Sequence, residues 1–265
     1  MTTDLDLLYT DVEDSLRASL RDLLTDRCTP ERVVVAYDGD RSLTPGLWRT
    51  LAVDLGLAGL LVPEPRGGAG ASAREAAVVL EELGRFVAPV PFLTGSVVAT
   101  SVALAWGDDE LLARLASGEQ TAALATPFST SAATFTATVR VEGTLLGSVT
   151  SVAGALEADV LLVPVATDAG VELHLVDAAA ARVEPVTSLD MTRQLADVDL
   201  TGVTSRVLTT GPGAETVPAD VAVRHALSLG AALLASEQVG VAQWCLDTTV
   251  AYLGDRRQFG RVLGG

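Results

Sequence analysis

The chain predicts an α+β protein in three parts. An N-terminal helical domain covers 1–118, a middle antiparallel β domain 119–212, and the first long helix of an incomplete C-terminal helical bundle 213–265. Three observations carry this reading. Apolar residues recur at helical spacing in the first part. Val, Thr, Leu and Ala broken by turn residues dominate the second. From Pro218 an unbroken, strongly apolar run extends to about Tyr252. Periods of 3.6 and 2 are the signatures of half-buried helices and strands.

In the first part, Leu8, Val12, Leu16, Leu20 and Leu24 place one apolar stripe on a helix with Asp and Arg between them. Trp48, Leu51, Leu55 and Leu57 suggest a second, short helix. Ser72-x-x-Glu75 is a capping box, opening a helix through Ala76, Val79, Leu80 and Leu83 that ends at or just after Gly84. Pro89 and Pro91 block its continuation. An apolar helix follows from about Gly95 to Trp106, and Asp108 and Asp109 offer an N-cap for a short acidic helix. In the second part, Glu142-Gly143, Ala153-Gly154, Asp168-Ala169-Gly170 and Thr201-Gly202 mark turns between short strands. Val160–Val163 reads as a buried strand with Pro164 at its end. Ala196–Leu200 alternates like a strand with one wet face. In the third part, Pro218 and Asp220 suit a first helical turn. About 35 residues of helix would reach about 50 Å. Its small, all-round apolar stretch Ala226–Ala235 belongs inside a bundle. Either another subunit supplies the packing partners or a C-terminal portion has been lost, and the isolated chain is expected to associate.

At 265 residues with 49% apolar content, the chain holds one large domain or two small ones around a sizeable core. The formal charge of −16 and the lack of a basic stretch argue against nucleic acid and anionic membranes as partners. Cys28 and Cys245 form neither a metal spacing nor a disulfide framework, which fits a reducing cytoplasm. The acidic start, Met1 to Leu8, does not read as a signal peptide. Gly68-Ala69-Gly70-x-x-Ala73 imitates a dinucleotide fingerprint. Pro63 and Pro65, however, separate it from the strand-like Leu60–Val62, so the tight strand-to-helix turn is missing.

The most informative run is Tyr252-x-x-x-Arg256-x-Gln258-Phe259-Gly260 at the end of the long helix. With Leu55-Gly56-Leu57-Ala58-Gly59-Leu60, Val62-Pro63-Glu64, Gly67-Gly68-x-Gly70, Glu81-Glu82-Leu83-Gly84-Arg85, Ala116-Ser117-Gly118-Glu119 and Val239-Gly240-x-Ala242, it resembles the acyl-CoA dehydrogenase family. The resemblance covers most of the chain. It implies an oxidoreductase acting on CH–CH bonds of an acyl-CoA thioester, in fatty acid or steroid catabolism. Flavin adenine dinucleotide (FAD) would lie between the β domain and the C-terminal helices. It also implies a homo- or hetero-oligomer with an acyl-CoA dehydrogenase-like subunit. By resemblance, Arg256 meets the pyrophosphate of a neighbouring subunit's FAD, and Gln258 and Phe259 flank its adenosine end. A guanidinium pairs bidentately with phosphate oxygens and a ring offers a flat face. The plain alternative is a helix-end Arg satisfying its own carbonyls, with Phe259 in the core.

The departures matter as much. Where the family has Thr-Glu-Pro-x-x-Gly-Ser-Asp against the flavin ring, this chain has Ala125-Thr126-Pro127-Phe128-Ser129-Thr130-Ser131. Where the family has Trp-Ile-Thr, it has Ser151-Val152-Ala153. Proton abstraction beside a thioester needs a positioned carboxylate. The family's usual Glu lies beyond the segment present. The alternative place on the long helix holds Gly230, and Glu237 is two turns further on. No catalytic residue is therefore named, and the chain alone is not expected to be competent. Asp190-x-Thr192-Arg193 resembles a late β-domain stretch and reads either as a group near acyl-CoA or flavin or as a structural ion pair. Two functions stay open: a dehydrogenase subunit working beside a fuller partner, and a non-catalytic structural or binding subunit.

Overall fold

Thr10 and Glu13 form a capping box that starts α1 (Asp11–Arg27) in the computed structural model, which describes residues 8–106, 109–209 and 217–264. Leu8 precedes the helix and Val12 is exposed; Leu20 and Leu24 of the expected stripe are buried, and Leu16 packs half-buried against the same core. Proline in the first turn starts α2 (Pro30–Tyr37), whose apolar residues Val33 to Ala36 are consecutive. The Trp48 helix is α3 (Leu43–Arg49), which loosens into π-helical Thr50–Asp54. Leu57 belongs to a separate 3-10 turn entered through Gly56 at φ +68. Leu60–Val62 is a turn and not a strand.

The Ser72 box caps α4 (Ala73–Arg85): the Glu75 carboxylate accepts from Ser72 N–H at 2.8 Å, and Ser72 Oγ accepts from Arg74 N–H at 3.1 Å. The next helix begins three residues earlier than expected. Its first part, Phe92–Ala99 after Pro91, is π-helical, and it continues as α5 (Thr100–Trp106). Asp109 opens α6 (Asp109–Ala116), while Asp108 lies outside the described residues.

The middle segment forms β1 (Ala122–Leu124), β2 (Arg140–Glu142), β3 (Thr144–Leu146), β4 (Ser148–Ala153), β5 (Val160–Thr167), β6 (Gly170–Asp177), β7 (Arg182–Val186), β8 (Leu195–Asp199) and β9 (Arg206–Val207). One sheet runs β1-β5-β6-β9 and a second β4-β8-β7, with β2-β3 as a hairpin about Gly143. The sheet is antiparallel except that β1 pairs β5 in parallel, Ala122 opposite Val160. The long excursion through β2, β3 and β4 supplies the crossover that a parallel pair needs. Pro164 lies inside β5 rather than at its end. It falls between the last β1 pairing, at Leu162, and the isolated bridge at Val165, where no neighbour on that side needs its missing N–H.

After Pro218, α7 (Ala219–Asp255) runs for 37 residues. Its buried positions are Ala219, Ala222, Val223, Ala226, Gly230, Leu233 and Gly240, mostly small; the helix packs on α5 and the first sheet near its start and on the π-helical segment and α4 further along. From residue 241 the helix is exposed on every side, leaving Trp244, Leu246, Val250 and Tyr252 open to solvent. The chain closes with a hairpin, β10 (Arg257–Gln258) and β11 (Arg261–Val262). One apolar core lies between the two sheets, one joins the first sheet to α5, α6 and α7, and one fills the N-terminal helices. Among the described residues, no helix is long and apolar enough to cross a membrane, and no cluster of His, Cys, Asp and Glu is arranged to hold a metal.

Candidate functional site at the junction of helices and sheet

An apolar cavity of about 150 Å³ opens where the three parts meet. The π-helical segment contributes Leu93 and Val98, the loop after β1 contributes Phe128 and Thr130, and α7 contributes Gly230 and Leu234. A π-helical stretch turns successive side chains off the usual helical faces, which is how Leu93, Thr94 and Val98 all reach this side. Gly230 brings the α7 backbone close: a Cβ there would stand 2.6 Å from Val98 Cγ2. None of the residues lining the cavity titrates. The cavity can hold an apolar group and exclude water from it. It offers no proton acceptor.

The two stretches expected to face a flavin ring meet at this cavity. Phe128 N–H donates to the Ser151 carbonyl at 3.0 Å. Ser151 sits on a bulge in β4 at φ +55, and its N–H donates to Asp197 Oδ1 at 2.8 Å. Thr126 is buried and Ala153 lines the cavity wall, so this region presents hydroxyl, ring and methyl groups but no carboxylate.

A second, polar cleft of about 80 Å³ adjoins the first, and Thr94 lines both. It holds Glu157, Asp190, Arg193 and Glu237. In the Asp190 stretch, Arg193 pairs with Glu237 of α7, and Asp190 Oδ1 accepts from Thr192 N–H at 2.9 Å. Arg193 also lies over the Phe128 ring, 5.5 Å from its centroid, so the same guanidinium borders the apolar cavity. Glu237, read as a polar break in a buried face, is the anchor of that pair.

Glu157, which nothing in its Ala-rich surroundings singled out, is largely buried and pairs with Arg41. Burial pushes its carboxyl above the ordinary value, against the pull of Arg41. A raised carboxyl pKa adds stability below the ordinary value and loses it as pH rises through the raised one. The Tm advantage of the wild type over Glu157→Gln should therefore shrink as pH is raised above about 4.5. Thermal melts between pH 4 and 7 check this, as order-of-magnitude bounds set by where carboxylates titrate.

The three residues singled out for nucleotide contact lie elsewhere, together, on the terminal hairpin. Arg256, Gln258 and Phe259 are all exposed, and Phe259 is fully so. Phe259 and Gly260 form a two-residue turn with φ of +50 and +77. This left-handed pair is the geometry that suits a two-residue hairpin. It places a ring at the tip of an arm and Arg256, Arg257 and Arg261 beside it, in a chain of net charge −16. Leu263 N–H donates to Arg256 O at 2.9 Å and Gly264 N–H to Leu253 O at 3.0 Å, which ties the hairpin back to α7.

Comparison with known proteins agrees with this architecture. Residues 10–119 match the acyl-CoA dehydrogenase N-terminal domain, and residues 220–265 match the acyl-CoA dehydrogenase C-terminal domain. The chain is 34% identical over 249 residues to acyl-CoA dehydrogenase IpdE2 of Mycolicibacterium smegmatis, covering 94% of this chain and 67% of that protein. Among solved structures it is similar to a variant of the Tcur3481-Tcur3483 steroid ACAD (30% identity, TM-score 0.78, 96% of this chain and 70% of that one). It is also similar to the ChsE4-ChsE5 complex from Mycobacterium tuberculosis (26% identity, TM-score 0.80, 98% and 71%). The chain spans about two thirds of the length of the IpdE2 relative. By sequence and by fold it belongs to the acyl-CoA dehydrogenase family, whose general activity is FAD-dependent desaturation of acyl-CoA thioesters.

Proposed function

We propose that this chain is a flavoprotein subunit for α,β-desaturation of an acyl-CoA thioester, working beside an acyl-CoA dehydrogenase-like partner. The partner supplies the carboxylate base and the flavin-ring contacts. The division at 1–118, 119–212 and 213–265 is part of this reading, although the second boundary lies outside the described residues. The observation that carries it is the exposed arm: a ring and three guanidiniums held clear of the chain's own body by the last turns of α7. The residues present fit the nucleotide half of FAD. Arg256 would hold the pyrophosphate, and Gln258 and Phe259 the adenosine end, on a neighbouring protomer. The apolar cavity suits a flat ring or acyl group, but without a charged residue in its lining it needs the partner for proton transfer. When bound, FAD supplies the hydride acceptor. This chain's residues position the thioester and keep water out. The likeness to a steroid ACAD and to a two-component complex supports a bulky acyl group and a hetero-oligomer.

The test is co-purification with an acyl-CoA dehydrogenase-like subunit encoded nearby, read by flavin absorbance. A yellow complex is expected. Arg256→Ala should weaken FAD retention about tenfold or more, the worth of a charge-assisted hydrogen bond. The missing carboxylates at 125–131 and in the cavity favour a second reading, a non-catalytic structural or binding subunit. Colourless material in every combination would establish that reading instead.

A further inference from the structure

We propose that Arg193 reads a neutral oxygen, a ketone or hydroxyl, at the far end of the acyl group, and so sets substrate specificity. This rests on the acyl-CoA reading above and goes a step beyond it. The apolar cavity and the polar cleft are neighbours along α7, the first against the π-helical segment and the second against the end of α4 and residues 87–91. Thr94 lines both, and the consecutive residues Ala153 and Gly154 line one each. Gly154, at φ +81, lies so close that a Cβ would stand 2.4 Å from Thr94 Oγ1, so no side chain fits at this junction. Along α7, Gly230 faces the cavity and Glu237 the cleft. Seven helical residues separate them by about 10 Å. A group seated at Gly230 and extended along the helix meets the polar residues at that depth.

Arg193 stands at the boundary, over the ring of Phe128 on the cavity side and paired with Glu237 on the cleft side. Glu237 is its hydrogen-bond partner among the described residues, which leaves further N–H donors on the guanidinium. Gln194 beside it donates its amide to Met191 O at 3.1 Å, leaving the amide oxygen as an acceptor in the same cleft. The charge balance selects the ligand. Glu157 is paired with Arg41 and Glu237 with Arg193, so Asp190 leaves the cleft net negative, and a distal carboxylate would meet repulsion that a neutral oxygen would not. A site built to hydrogen-bond an oxygen discriminates strongly against the analogue that lacks it.

The experiment uses the chain assembled with its partner subunit and two acyl-CoA thioesters on one carbon skeleton. One carries a ketone about 10 Å from the thioester along the chain, the other a methylene. The wild-type assembly should favour the ketone by about tenfold or more in kcat/KM. Arg193→Met should remove that preference, lowering kcat/KM for the ketone about tenfold more than for the methylene substrate, with the difference carried by KM. Arg193→Lys, which keeps the charge opposite Glu237, should retain part of it and serves if the Met variant fails to assemble. Equal kcat/KM for the two thioesters in the wild type, or an equal loss on both in Arg193→Met, overturns this inference and leaves the dehydrogenase reading standing. No turnover of either thioester by a flavin-loaded wild-type assembly removes the dehydrogenase reading itself.

Discussion

Gly240→Ala is expected to destabilise the protein by about 3 kcal/mol or more, the upper range for overpacking a tight contact. On a free helix the same change would be favourable by about 1 kcal/mol, because glycine is a poor helix former. The sign reverses because α4 and α7 cross backbone to backbone. A Cβ on Gly240 would lie 1.9 Å from Glu81 O and 2.7 Å from Arg85 N. The crossing is reciprocal: a Cβ on Gly84 would lie 2.0 Å from Glu237 O. Neither neighbour is the free end of a flexible side chain, so the helices must part. Leu80, Leu83 and Leu233 belong to the core beside this crossing and would lose contact as they do. Gly254→Ala is the control. It sits on the same helix with nothing within 4 Å of a new Cβ, and should be neutral or slightly stabilising. Urea unfolding of the two variants against the wild type checks both signs. The same displacement would move Glu237 away from Arg193, so Gly240→Ala should also loosen the polar cleft.

This crossing shows where the sequence was legible and where it was not. Gly84 and Gly240 both stood out, one as a helix end and one inside a family-like run, because local patterns mark glycines well. That they meet each other is a contact between distant stretches of chain, and no periodicity carries it. The capping box at Ser72 and the alternation at Ala196–Leu200 are local rules, and both were realised. α2 was missed because its apolar residues, Val33 to Ala36, are consecutive and span a single turn, too short a run for a helical period to show. The parallel β1–β5 pair was missed because strand direction depends on the crossover rather than on either strand. In the site, Arg256, Gln258 and Phe259 were singled out by the family resemblance, and the structure groups them at one exposed hairpin. The stacking of Arg193 on Phe128 and the pairing of Glu157 with Arg41 were out of reach. Each joins segments that only the assembled fold brings together.

Removing the two arginines that face Glu82 is expected to cost about 3–5 kcal/mol, the penalty for stranding a buried charge. Glu82 lies on the inner face of α4 with its side chain 1% exposed. It accepts from Arg17 at 2.9 Å and from Arg21 at 2.6 Å, both on α1, and Glu81 takes a second bond from Arg17 at 2.8 Å. The partners are not equivalent to the carboxylate they serve. Arg21 is 46% exposed and can turn to water, and Arg17 keeps Glu81. Glu82 has no such retreat. Glu82→Gln should therefore cost less, about 1–3 kcal/mol, than the Arg17→Ala/Arg21→Ala double variant. If α1 were held by its leucines alone, the order would reverse or both costs would vanish. Urea unfolding gives the ranking, and limited proteolysis gives the place: cleavage should appear first in α1 of the double variant. Since α4 carries the Gly84–Gly240 crossing, an ion cluster on the outer helix helps fix the position of α7, and with it the cavity at Gly230 and the arm that ends in Phe259.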